Sequence, residues 1–339
     1  MSEPSHAARR ATAGPSWQQE LARAVRDPAE LVRILDLSPT LLEPARLASR
    51  HFPLRVPHGY IARMERGNAE DPLLRQVLPL EAELGAVSGF VADPVGDLAA
   101  SKGAGVLHKY YGRVLLITTG ACAVNCRYCF RRHFPYARAN ASAEHWLPAL
   151  RYIARRPEIE EVILSGGDPL SLTDRRLAEL VAQLVDIPHV RRLRVHSRLP
   201  VVLPTRITQE LLNWFAGSRL QPVMVLHTNH ANELDDAVAN AVKRLRGAGV
   251  TVLNQTVVLR GVNDEATTLT ELSRRLFDVG ILPYYLHLLD RVAGASHFAI
   301  TQVRARALHR QMAARLPGYL VPRLVQEIEG TPGKRWLAP

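Results

Sequence analysis

The chain has three cysteines, and all fall within eight residues, at Cys122, Cys126 and Cys129. Thiolates favour soft metals, and steps of four and three residues let one loop wrap a metal group. A structural zinc ion needs four ligands, so a zinc reading must borrow His133 or a remote side chain. A four-iron cluster held by three cysteines would leave one iron open to a small molecule. Unligated thiols rarely crowd in this way, and three cysteines cannot build a disulfide framework, which points to a reducing compartment. Other polar sets follow at intervals: Ser165-Gly166-Gly167-Asp168, His196-Ser197-Arg198, His227-Thr228-Asn229-His230, Gln255 with Arg260, and Asp290. Taken singly, each is a turn or a surface group. Lys334, five residues from the last, taken singly is a solvated tail amine.

The elements that must position these residues alternate. Short β-rich runs are expected at Val114–Thr119, Val162–Leu164, Leu193–Val195, Val223–Leu226, Thr251–Leu259 and Pro283–Leu288. Helical periodicity falls between them, from about Ala143 to Arg155, along Leu177, Leu180, Val181, Leu184 and Val185, then at Ala237–Leu245, Leu269–Phe277 and Gln302–Leu316. Six strand–helix units predict an α/β fold with a parallel sheet, open or closed as a barrel. Every polar set lies just after or at the end of a strand, where α/β barrels build their sites. Residues 1–100 read as an N-terminal helical segment. Within it, Asp27-Pro28-Ala29-Glu30 opens one helix, a second runs from about His58 to Arg66 and stops at Gly67, and Val87–Gly105 is a connector. Residues 101–316 would form the barrel and 317–339 a C-terminal segment.

Composition narrows the class. The 339 residues are 47% hydrophobic and 22% charged, ordinary globular values. No run without a charged residue exceeds 13, too short for a bilayer span. The N-terminus has no secretion signal, so a soluble, cytoplasmic protein is expected, with no membrane partner. The net charge of +11 raises nucleic acid or an acidic partner as a second class of reading, with seven basic residues against two acidic ones from Thr301 onward. That reading predicts zinc at the cysteines and leaves the ordered strand-end residues unexplained, so no nucleic-acid partner is expected.

The run Cys122-Ala-Val-Asn-Cys126-Arg-Tyr-Cys129 has the CxxxCxxC form of the radical S-adenosylmethionine (SAM) enzymes. Around it, Asn125–His133, Leu164–Leu170, Arg194–Pro200 and Leu253–Asp264 resemble the lysine 2,3-aminomutase family, over nearly the whole chain from about His51. It most resembles the short bacterial members, whose (R)-β-lysine a separate ligase attaches to elongation factor P. The resemblance implies a partial (βα)6 radical SAM barrel carrying a C-terminal lysine tail for pyridoxal phosphate (PLP). It implies a [4Fe-4S] cluster on Cys122, Cys126 and Cys129, and SAM along Ser165, Gly166, Gly167 and Asp168 with His227 and Gln255. PLP would be carried on Lys334 as a Schiff base, anchored by Lys109, Arg113 and Arg198. Arg131 would take the carboxylate of L-lysine, and Asp290 with Glu327 its far ammonium; free-standing members usually have Asp at the latter position. The implied reaction moves the α-amino group to C3, with electrons from a flavodoxin- or ferredoxin-type donor. Those free-standing members also carry extra cysteines for zinc and a C-terminal extension. This chain has no fourth cysteine and stops at Pro339, so structural zinc is expected to be absent.

Overall fold

A computed structural model describes residues 15–139 and 146–338. Nine strands in this range form one sheet whose spatial order is the chain order. They are β1 (Val106–Tyr110), β2 (Arg113–Thr119), β3 (Glu161–Gly166), β4 (Arg192–Ser197), β5 (Gln221–His227), β6 (Thr251–Val257), β7 (Leu282–His287), β8 (Arg323–Gln326) and β9 (Arg335–Trp336). The steps from β2 to β8 are parallel, and the two outer pairs, β1–β2 and β8–β9, are antiparallel. The expected alternation is present. Helices Trp146–Ala154, Asp174–Val185, Gln209–Ala216, Asp236–Gly247, Ala266–Asp278 and Gln302–Ala313 each follow one of the strands β2–β7.

The strands sort their side chains by face. In β4, Leu193 and Val195 are buried with Leu177, Leu180, Val181 and Leu184 of the neighbouring helix, while Arg192, Arg194 and His196 take the other face. This period-two pattern puts the apolar set under the helices and the polar set on the concave side. The sheet curls until its two ends nearly meet. Tyr110 at the end of β1 donates its hydroxyl to Glu327, just past β8, and Lys109 Nζ lies 3.6 Å from the same carboxylate. The barrel is therefore open in its backbone and bridged there by side chains.

Several expectations change. Strand β1 was not expected, and the segment 317–339 is no loose tail, since β8 and β9 extend the sheet. Strand β6 stops at Val257 because Asn263 intercepts the ladder, accepting from Leu259 N at 2.8 Å and donating to the Val257 carbonyl at 2.9 Å. The helix expected over His58–Arg66 is α-helical only at His58–Ile61 and continues as turns to Gly67, whose φ is +73°. The expected helix start at Ala143 lies outside the described residues. Asp27 caps its helix as expected, accepting from Ala29 N. No helix among the described residues is long and apolar enough to cross a membrane.

Candidate active site

The cysteine loop follows β2 and is pinned from both sides. On one side Arg127, fully buried, spans Glu83 (Nε–Oε1 2.8 Å, Nη2–Oε2 2.5 Å) and the Phe52 carbonyl, and Arg132 shares the same Glu83. Burying a carboxylate between two guanidiniums is tolerable because every charge is paired. On the other side the Ser165–Asp168 turn docks by Gly167 N to the Thr119 carbonyl and Asp168 N to the Ala121 carbonyl, both 2.7 Å. Gly166 has a φ of +127°, and a Cβ there would sit 2.5 Å from Thr119 O. A Cβ on Gly167 would overlap the Ala121 carbonyl oxygen and lie 2.7 Å from Gly120 C. The missing side chains at these two glycines let the end of β2 and the start of the cysteine loop come close.

Asp168, expected on SAM, is a buried hub. Its carboxylate accepts from Ser197 Oγ and from the backbone N–H groups of Leu170, Arg198 and Leu199, at 2.7–3.1 Å. Burial pushes its pKa up, and those donors oppose the rise. These bonds join the ends of β3 and β4. Arg198 is likewise not where the phosphate expectation put it. Its Nη1 lies 2.8 Å from Cys126 Sγ, and its Nη2 contacts Tyr60 Oη, Gln76 Oε1 and Glu233 Oε2 at 3.0, 2.6 and 2.9 Å. Those contacts hold the guanidinium at the sulfurs.

Do the residues fit a metal cluster? Burial, then the neighbouring sulfurs, pushes the Cys122 thiol well up and the Cys129 thiol up to about 11. Such a set becomes thiolate only against a strong cation, and metal ligation removes thiol protons outright. Among the described residues no three His, Cys, Asp or Glu side chains converge on a single-ion site, and His133 is occupied with the Ala293 carbonyl. Three separated sulfurs suit a cluster, whose irons take one thiolate each, better than a lone zinc ion.

From the sulfurs a line of ion pairs runs to the tail lysine. Arg131, two residues past Cys129, donates Nε to Asp97 Oδ2 at 2.6 Å and Nη1 to Ser165 Oγ at 3.1 Å; its Nη2 has no partner among the described residues. Asp97 also pairs with Lys109 at 2.6 Å. Burial alone would raise the Asp97 pKa, but Arg131 and Lys109 outweigh it and hold the carboxyl low. Lys109 reaches Glu327, which takes the hydroxyl of Tyr110 and the amine of Lys334. Burial works against ionised Glu327 too, yet Lys334 and Tyr110 keep its pKa low.

Lys334 follows a turn, Thr331-Pro332-Gly333, and precedes β9, which hangs on β8. Its Nζ stands 5.8 Å from the ring centre of Tyr285. Asp290 is on the same side, and its carboxylate has no hydrogen-bond donor among the described residues; burial raises its pKa to about 7 despite the pull of Lys334. His227, within 2.8 Å of Gln255, is lowered by burial to about 3. His196 and His287 are driven well down by burial, and each leaves Nε2 buried without a partner. Unpartnered buried polar atoms are rare and mark space for a polar group. Arg113, stacked 4.5 Å over the Tyr110 ring, has no carboxylate partner among the described residues. An amine on a glycine-flanked turn, an unpaired guanidinium and idle imidazoles fit a phosphorylated aldehyde cofactor. Of the three expected anchors, Lys109 and Arg113 are here and Arg198 is not.

Sequence reasoning missed Asp97, Tyr110 and His287, and the partners of Arg198. Asp97 sits in a connector with no periodicity, and only its Asp93-Pro-Val-Gly-Asp97 turn, where Asp93 caps Asp97 N and Leu98 N, hints at order.

Residues 116–272 match the radical SAM superfamily. The L-lysine 2,3-aminomutase of Escherichia coli (strain K12) is 51% identical over 319 residues, which is 94% of this chain and 93% of that protein. The L-lysine 2,3-aminomutase of Haemophilus influenzae is 49% identical, covering 94% of each. The enzyme of that name from Clostridium subterminale is 32% identical over 95% of this chain and 78% of its own length. At half identity over almost the full length, with the cysteine loop inside the matched region, this chain belongs to the L-lysine 2,3-aminomutase family of radical SAM enzymes.

Proposed function

We propose that the protein isomerises L-lysine to β-lysine, using a [4Fe-4S] cluster on Cys122, Cys126 and Cys129, SAM at its open iron, and PLP on Lys334. The observation that carries this is the unbroken run of ion pairs from the cysteine loop to the tail amine: Arg131, Asp97, Lys109, Glu327, Lys334. It puts the metal-binding loop and the amine on one side of the same sheet, in a lining that is polar where a barrel core would be apolar.

When bound, the cluster and SAM supply a carbon-centred radical, and PLP supplies an imine across which nitrogen can migrate. The chain's own residues bind and orient. Arg131 offers its free Nη2 to the substrate carboxylate while Asp97 fixes the guanidinium plane. Asp290 receives the far ammonium; its carboxylate is unpaired, and an arriving cation favours its ionised form. Glu327, held by Tyr110 and Lys334, is a second anion beside it, so a lysine side chain is favoured over an acidic one. Lys334 would hold the aldehyde carbon of PLP through its amine, and the glycine-flanked turn before it leaves the side chain room to move. His196, His227 and His287, kept neutral by burial, accept hydrogen bonds without adding charge. The helices outside and the bridged seam cover the sides of the lumen, which limits water around reactive species.

The further reading is that the product is (R)-β-lysine destined for elongation factor P through a separate ligase, with a flavodoxin or ferredoxin as electron donor. It rests on the short-member resemblance. Anaerobic reconstitution with iron, sulfide, PLP, SAM and a reductant, followed by chiral analysis of the product from L-lysine, tests both levels. β-Lysine of R configuration is expected; turnover of glutamate but not lysine would remove the substrate assignment.

A further inference from the structure

The Arg198 guanidinium is the one cation seen in direct contact with a cysteine sulfur among the described residues, and its surroundings are built to keep it there. It lies at the end of β4, next to Ser197, whose hydroxyl and the Arg198 and Leu199 N–H groups are tied to Asp168. Its Nη2 is gripped by Tyr60, Gln76 and Glu233. These partners are themselves ordered. Glu233 Oε1 accepts from Asn229 N, His230 N and Gln76 Nε2, and Asn229 Nδ2 bonds both Gln76 Oε1 and Tyr128 Oη, one residue before Cys129. Arg198, Gln76, Glu233 and Asn229 are all at least nine-tenths buried. Holding a guanidinium this deep costs desolvation, and Glu233 alone would balance its charge without any sulfur contact. The geometry aims its Nη1 at Cys126 instead.

We infer that Arg198 and Glu233 together set the reduction potential of the cluster: Arg198 by donating a charge-assisted hydrogen bond to the Cys126 sulfur, Glu233 by partly cancelling that charge from behind. This rests on the cluster reading above. Adding an electron makes the cluster more negative. A cation and hydrogen-bond donor at a ligand sulfur therefore favours the reduced form, and a buried anion disfavours it. Arg198 is a positioning and tuning residue in this account, acting through Cys126 rather than on the substrate.

The account predicts shifts of opposite sign. Arg198→Gln removes the cation and leaves Glu233 uncompensated, so the reduction equilibrium should fall at least tenfold, 59 mV more negative for a one-electron couple. Glu233→Gln leaves Arg198 uncompensated and should move the potential in the positive direction. The test is a redox titration of reconstituted protein followed by the electron paramagnetic resonance signal of the reduced cluster, with iron per chain measured alongside. A merely structural role would lower iron content in both variants without moving their potentials apart. Opposite shifts at retained iron support the inference; shifts of one sign, or less than a twofold change for Arg198→Gln, overturn it. Should Arg198→Gln lose its iron, the sign of the Glu233→Gln shift decides alone, with a negative or absent shift overturning it. A wild-type chain that takes up no cluster would instead overturn the function proposed above.

Discussion

Replacing Gly167 by alanine should damage the protein out of proportion to one methyl group. The added carbon would overlap the Ala121 carbonyl oxygen and stand 2.7 Å from Gly120 C, where carbons normally keep about 3.5 Å. The Ser165–Asp168 turn and the start of the cysteine loop must then separate. That stretches the bonds from Gly167 N to Thr119 O and from Asp168 N to Ala121 O. Losing one buried backbone bond costs about 1–2 kcal/mol and the residual crowding about 1–3 kcal/mol, roughly 2–5 kcal/mol together. With an unfolding entropy of roughly 2.1 cal/mol/K per residue, a chain this long moves about 1.4 °C per kcal/mol, so Tm should fall by about 3–7 °C. Gly247→Ala is the matched control: it closes a helix, nothing lies within 4 Å of its Cβ position, and up to about 1 kcal/mol of stability should be gained. Calorimetry of the metal-free chains under argon measures both, and iron uptake on reconstitution should fall only for Gly167→Ala. If Gly167→Ala melts with wild type and loads iron normally, the tight docking of these two loops is wrong.

The Asp290 carboxyl, with its pKa raised to about 7, retains a proton that the unfolded chain releases near pH 4, so native stability declines as pH rises between those values. Asp290→Asn should therefore melt above wild type by roughly a few degrees at pH 8 and with it at pH 4, while its KM for lysine rises at least tenfold at pH 8. For the wild type, KM for lysine should fall as pH climbs toward 7, because Asp290 must ionise to receive an ammonium. Lys334→Ala should abolish the visible absorbance that PLP acquires on the wild-type chain, with Tm little changed because the side chain is partly exposed; unchanged absorbance would place the cofactor elsewhere. Cys126→Ala should lose iron and the brown colour after reconstitution, and an active variant would refute the cluster assignment.

The six inner strands were legible because each is a short run carrying β-branched or aromatic residues and closed by a polar set, and a helix of clean periodicity follows most of them. Strands β1, β8 and β9 were not, for their pairing depends on partners and their runs are short; β9 has two residues, Arg335 and Trp336. The cysteines were visible as residue types at a telling spacing, whereas Lys334 was visible only through the family resemblance. Arg198 shows where such reading stops. Its place at the end of β4 was plain, but a side chain with four rotatable bonds can turn either way, and Tyr60, Gln76 and Glu233, distant in sequence, turn it toward Cys126. Gly166 and Gly167 were singled out to let a ligand approach; the close approach of the chain's own carbonyl groups to them depends on folding and was not legible.

A fully closed barrel admits a guest only through its mouth or by fraying a ladder of backbone bonds. Here β1 and the end of β8 are joined across the gap by Tyr110 and Lys109 on one lip and Glu327 on the other. Parting those lips sacrifices one hydrogen bond to a charged group, worth about 1.5–3 kcal/mol, and one looser ion pair, worth up to about 1 kcal/mol, and leaves the β-ladder intact. A long amino acid ending in an ammonium would thus have a sideways doorway, and Glu327, which latches it, is also an anion facing that ammonium.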